Sequence, residues 1–365
     1  MEKKMQFVEY LRIIWAIAAK DILDAIKNKT TLSLFLGVLI MMLSGHALPL
    51  MLKLNDTPMV VVYDPAKSKI IRGLSAQEDF RLAVVDSQDL MEEIVAASPE
   101  VRLGLILPAD YDELAGSEER VELQGFYPHW ADLGEVSELA AFFEEKLAGA
   151  SWQSIRVLTA DNKLYPSPED DGFHFMIAMV LTIMILTIGV ALVPYLFVEE
   201  KEAFTLGVIL VSPARYGQVI IGKALTGVFY CLVASGVVLL FDAKWIVRWD
   251  LVLLAIFLGS FLSVLMGLFI GTIVDSASSI GMWAGLGLGI LIIPSFLQVF
   301  INSSWPDWLQ GLLPWLPSVA LINLVQLSMS APVPAALLWR GVVSLAVGIV
   351  VVFALIIWKI RRLDL

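Results

Sequence analysis

Few residues in this 365-residue chain have the types and spacing that catalysis needs. The run Gly217-Gln218-Val219-Ile220-Ile221-Gly222-Lys223 matches the first seven positions of a phosphate-binding loop, whose backbone amides cradle phosphate while the lysine reaches its outer oxygens. The eighth position is Ala224, which has no hydroxyl to hold magnesium, and a long apolar run follows where a soluble helix should. Nucleotide binding at this run is not expected. Paired carboxylates such as Glu199-Glu200 serve as acid and base in intramembrane proteases, yet neither His46 nor His174 stands in helical register with a carboxylate. The sequence holds no HExxH, no GxSxG and no Cys/His cluster at metal spacing. The one cysteine, Cys231, lies in an apolar run and has no partner for an intramolecular disulfide. No catalytic residue, bound cofactor or metal ligand is expected, so function must come from what the chain spans and touches.

The elements that position these residues are mostly membrane-length. Hydrophobic residues make up 58% of the chain, above the 45–50% or so of soluble domains, and the excess is gathered into runs. A bilayer core takes roughly 20 apolar residues per helix. Six segments qualify: 31–52, 173–198, 219–241, 251–274, 280–301 and 335–358. The first is long enough to span and lacks a small-residue cleavage site, so it reads as a retained helix rather than a signal peptide. The expected fold is a polytopic α-helical membrane protein with six transmembrane helices.

Charge divides the chain further. Residues 53–172 hold ten Lys and Arg against twenty-four Asp and Glu, while the chain as a whole has a net charge of −11. Short strands are expected at Met59–Tyr63, Arg81–Val85, 103–107 and 120–126, with helices over 89–97, capped by Ser87, and 135–148. That pattern predicts a small acidic α/β domain inserted between the first two spans. Lys and Arg beside helix ends set topology. Lys3, Lys4, Arg12, Lys20, Lys27, Lys29, Lys201, Arg215, Lys223, Lys359, Arg361 and Arg362 fall on one side, against Lys244, Arg248 and Arg340 on the other. The chain is therefore expected N-in and C-in, with the acidic domain outside the cytoplasm.

Residues 1–29 precede the first span, and within them Phe7, Leu11, Ile14, Trp15, Ala18, Ile22 and Ile26 recur at helical spacing. They predict a cytoplasmic amphipathic helix lying along the membrane surface or against a cytoplasmic partner. The turn 275–279 supplies capping residues for the fifth span, which opens with Gly281, Gly285 and Gly289, small residues at the spacing that lets helices approach closely in lipid. They mark a packing seam within the subunit or between two copies. Segment 302–334 carries five prolines and Trp305, Trp308 and Trp315, and predicts one or two short helices dipping into the outer leaflet as a plug, a belt or part of an exit path.

A carrier driven by an ion gradient would place ionisable groups at mid-depth. Between the span boundaries His46, beside Pro49, is essentially the one such group, a candidate for hydrogen bonding to backbone or for lining a pathway. An external energy source fits better, and the polar loop 199–218 between the second and third spans is where a soluble engine could attach.

Over that loop the chain resembles permease subunits of type-2 ABC exporters. It carries Glu200-Lys201-Glu202, Thr205-Leu206, Ser212-Pro213 and Gly222-Lys223 in the register of that family, departing at Phe204, where glycine is usual, and at Gly207, where Glu or Gln is usual. The external run Leu105-Ile106-Leu107-Pro108-Ala109-Asp110-Tyr111 and the order of elements are similar too. The resemblance implies an export permease that pairs with a second permease subunit, homo- or heterodimeric, in a prokaryotic inner (plasma) membrane. It implies that Glu200, Lys201, Glu202, Thr205, Leu206, Ser212 and Pro213 engage cytoplasmic ABC ATPase subunits, which bind the ATP, with Glu200 and Glu202 opening a coupling helix over 200–211. A membrane-anchored receptor or scaffold acting through the acidic domain is the other reading.

Overall fold

A computed structural model describes residues 2–27, 29, 32–33, 36–37, 40, 43–44, 59–74, 81–111, 121–151, 155–159, 162–168, 172–202, 216–300 and 305–363. Most of the first predicted span and His46 lie outside these residues. The chain forms two compact units, one of Met1–Ser44, Phe175–Ser328 and Pro332–Leu365, the other of Gly45–His174 with Met329–Ala331.

The smaller unit is an α/β layer structure. Strands β1 (Met59–Tyr63), β2 (Arg81–Val85), β3 (Leu103–Ile106), β4 (Val121–Pro128) and β5 (Ile155–Leu158) lie in the order β2-β1-β3-β4-β5, and β6 (Lys163–Leu164) pairs with β4. β1 runs parallel to both β2 and β3, with Val60 level with Leu82 on one side and Leu103 on the other, while β3 and β4 are antiparallel. Alternation along β1 explains the two cores. Val60 and Val62 face α2 (Lys69–Leu74) and α4 (Leu133–Ser151) through Ile71, Leu74, Phe143 and Leu147, whereas Val61 faces α3 (Gln88–Ala96) through Met91 and Val95. Ser87 caps α3 as its sequence predicts, its hydroxyl accepting the Leu90 N–H at 3.2 Å.

The larger unit begins with α1 (Glu2–Lys27). The second predicted span is not one regular helix: α5 (Phe173–Thr187) passes through a π-helical turn at Ile188–Leu192 into α6 (Val193–Glu202). The third, fourth and fifth are α7 (Tyr216–Asp242), α8 (Trp249–Ile273) and α9 (Ala277–Phe300), and the sixth is α12 (Ala335–Leu363). Among the described residues five helices are long and apolar enough to cross a membrane.

The second, third and fourth spans meet at glycines. A Cβ on Gly189 would overlap Ser263, one on Gly267 would overlap the Gly189 carbonyl, and one on Gly227 would lie 2.5 Å from Val193 Cγ2. Without side chains at these points the backbones approach closely, which is how helices gain contact in lipid. Segment 302–334 separates into two parts. Helix α10 (Asp307–Leu312) and the turn Leu313–Trp315 expose Trp308 and Trp315, then the chain bends by 72° into α11 (Pro317–Leu327). Apolar nearly all round, α11 is buried along almost its whole length, as such a helix must be.

Candidate functional site

At one end of the larger unit, α6 leaves toward residues 203–215 and α7 returns from them. The contacts gathered there include several polar ones between α1 and α7. Gln218 Nε2 donates to the Tyr10 carbonyl at 3.3 Å, Thr226 Oγ1 to the Ala18 carbonyl at 3.3 Å, and Tyr230 Oη to the Ile22 carbonyl at 2.6 Å. Each pair is separated by the same 208 residues, so α1 and α7 run in the same direction. At 1.5 Å per residue, contact from Tyr10 to Ile22 extends over about 18 Å. The missing rung is Gly222: a Cβ there would stand 3.4 Å from the Ile14 carbonyl and 2.8 Å from Ile17 Cγ2. The glycine is what lets the helices touch.

Lys223 follows. Its side chain is 1% exposed, its ammonium donates to Asp21 Oδ2 at 3.2 Å and to the Leu196 carbonyl at 2.8 Å, and Asp21 is 5% exposed. A buried charge is tolerated when paired and hydrogen-bonded, and here the acceptors come from α1 and α6 while the lysine belongs to α7. Helix α1 thus has three faces. Ile14, Ala18 and Asp21 turn toward the bundle; Val8, Leu11, Trp15 and Leu23 form an exposed apolar flank; Glu9, Lys20 and Asp24 are exposed and charged.

The predicted coupling residues are only partly within the described chain. Glu200 and Lys201 lie in the last turn of α6. Glu202 is exposed, and its Oε1 accepts the Ala277 N–H at 2.8 Å. Its carboxylate therefore serves the N-terminus of α9, where negative charge is favourable. The turn before α9 is braced by Ser276 Oγ, 3.0 Å from Ser279 Oγ. Thr205, Leu206, Ser212 and Pro213 fall outside the described residues. Gly281 and Gly285 meet nothing within 4 Å where a Cβ would stand, and Gly289 meets only Ile293 of its own helix at 3.9 Å, so these positions do not seat a neighbouring helix of the described chain. Gly217–Lys223, similar in sequence to a phosphate loop, is helical throughout, and Lys223 is turned into the bundle.

Sequence reasoning missed Asp21, Gln218, Thr226 and Tyr230. Two signals were present. Asp21 sits on the apolar face of α1 at helical spacing from Ile14 and Ala18, and Gln218, Gly222, Thr226 and Tyr230 recur every fourth residue along an otherwise apolar helix.

A mostly helical chain with five membrane-length helices, and a sixth candidate if the bent α10–α11 pair is one span, is a polytopic membrane protein. It matches the family model of the ABC-2 family transporter proteins over residues 29–358, and the chain belongs to that family. It is accordingly a membrane component of an ABC transporter, a permease rather than an enzyme, and the family works with an ABC ATPase partner. No curated protein matches the sequence.

Proposed function

We propose that this permease forms the membrane pathway of an ATP-driven exporter and takes its energy from separate cytoplasmic ATPase subunits docked on residues 203–215. The observation that carries this reading is the convergence around that segment. Its outgoing stem is held by Lys223 through the Leu196 carbonyl and by Glu202 through Ala277, and its returning stem is fastened to α1 by a ladder of hydrogen bonds. A push on the segment would pass through these stems to α1, α6, α7 and α9. Lys201, Arg215 and Lys223, close to that segment in the sequence, support a cytoplasmic placement, with the α/β unit outside and the chain in a prokaryotic inner membrane. Transporter permeases act in pairs, and the unoccupied Gly281, Gly285 and Gly289 positions suit the seam with a second permease subunit.

The test is purification in mild detergent from the native host, wild type against a variant whose residues 203–211 are replaced by a Gly/Ser linker of equal length. An ABC ATPase subunit is expected to accompany the wild type and to be lost from the variant. Wild-type protein that brings down no ATPase removes the reading.

A further inference from the structure

A buried ion pair is a costly way to gain stability. Taking an ammonium and a carboxylate out of water is costly, and replacing such a pair by apolar residues of similar volume is often neutral or stabilising. What a buried pair provides is one fixed register, because its hydrogen bonds have direction and apolar side chains can repack. Lys223 has three N–H donors on a flexible stem. Among its acceptors are the Asp21 carboxylate on α1 and the Leu196 carbonyl on α6. Leu196 lies between the π-helical turn at Ile188–Leu192 and Glu202, where α6 ends. Lys223 itself stands seven residues into α7, about two turns from where that helix begins. One side chain therefore grows from the returning stem of the 203–215 segment, holds the outgoing stem, and holds α1.

The π-helical turn adds a direction to this. Such turns interrupt regular helix geometry and occur often at functional sites, and this one sits against α8 where Gly189 meets Ser263 and Gly267. Above it α5 is packed as a regular span, and below it α6 is tied to α7 and α1 by Lys223. A displaced stem would flex at Ile188–Leu192 while α6, α7 and α1 stay in register.

We propose that Lys223, with Asp21 and the Leu196 carbonyl, is a positioning joint that makes α1 follow the 203–215 segment during the transport cycle. This rests on the preceding reading that an ATPase pushes on that segment. The experiment uses the complete permease–ATPase complex in lipid nanodiscs, with Cys231→Ala and a nitroxide at Lys27→Cys, the exposed last residue of α1. The readout is the change in the label's accessibility to water on adding ATP and vanadate. It is measured with the native pair, with Lys223→Met, and with the doubly apolar Asp21→Leu/Lys223→Met.

The single change takes the Lys223 ammonium away from the buried Asp21 carboxylate, leaving Lys20 at 4.0 Å, and can unfold the protein; the double change removes both buried charges of the joint, so it is expected to melt no lower than wild type and to retain its ATPase. In that double variant the nucleotide-dependent change is expected to be lost, because no charged joint then ties α1 to α6 and α7. An undiminished change would show that packing alone moves α1, and would overturn the proposal. So would a wild-type complex, ATPase bound, in which the α1 label ignores nucleotide. A wild type that recovers no ATPase is a different failure, since it removes the proposed function first and the joint with it.

Discussion

Glu202 carries a charge into the first turn of a helix that begins seventy-five residues later, at Ala277. Removing a side chain that satisfies a helix N-terminus costs about 1 kcal/mol. Glu202→Ala is therefore expected to lower the melting temperature of the purified permease, with Glu202→Gln, which keeps an acceptor oxygen, intermediate; equal melting of all three would show that the bond to Ala277 is without weight. Gly222 makes a sharper case. Valine there would drive its branched carbon into Ile17 and the Ile14 carbonyl, whereas alanine at Gly217 meets nothing within 4 Å. Gly222→Val is expected to free α1 from α7, read as protease cleavage within residues 2–27, while Gly217→Ala is expected to be neutral or to stabilise by up to about 1 kcal/mol.

The elements follow the sequence where local pattern and burial agree. Alternation marks β1 through Val60, Val61 and Val62, Ser87 caps its helix, and the apolar spacing of α1 yields a helix. Pattern fails where the deciding contact is distant. Nothing in Ile188–Leu192 alone indicates a π-helical turn, and the residues Gly189 packs against, Ser263 and Gly267, lie on another helix. The glycine spacing of Gly281, Gly285 and Gly289 is conspicuous in sequence, yet the tight helix crossings use Gly189, Gly227 and Gly267, which share no repeat. The bond from the Ala277 N–H to Glu202 was likewise not legible, since the two residues are remote along the chain. These crossings predict a contrast. Gly267→Ala places a methyl on the Gly189 carbonyl and is expected to reduce monodisperse protein in size-exclusion chromatography severalfold, of the order seen when a core is overpacked by 1–3 kcal/mol. Gly281→Ala is expected to leave the profile of the single subunit unchanged.

At the scale of the whole molecule, the charge partition and the coupling segment must agree about which side is which. The α/β unit holds most of the acidic excess, and Lys201, Arg215 and Lys223 flank the 203–215 segment or lie within it in the sequence. A bilayer imposes a cost on moving these groups across, and Lys and Arg count most when close to helix ends. Two exposed positions report the outcome: Glu145 on α4 of the α/β unit and Gly217 at the start of α7. With Cys231→Ala removing the native thiol, Glu145→Cys is expected to react with a membrane-impermeant maleimide in intact cells stripped of any outer membrane. Gly217→Cys is expected to react only after the cells are permeabilised. The reverse pattern would put residues 203–215 outside the cell, where no ATP-hydrolysing subunit could reach them, and the permease would then need another source of drive. Labelling of both positions in intact cells would instead break the link between charge and side on which the orientation rests.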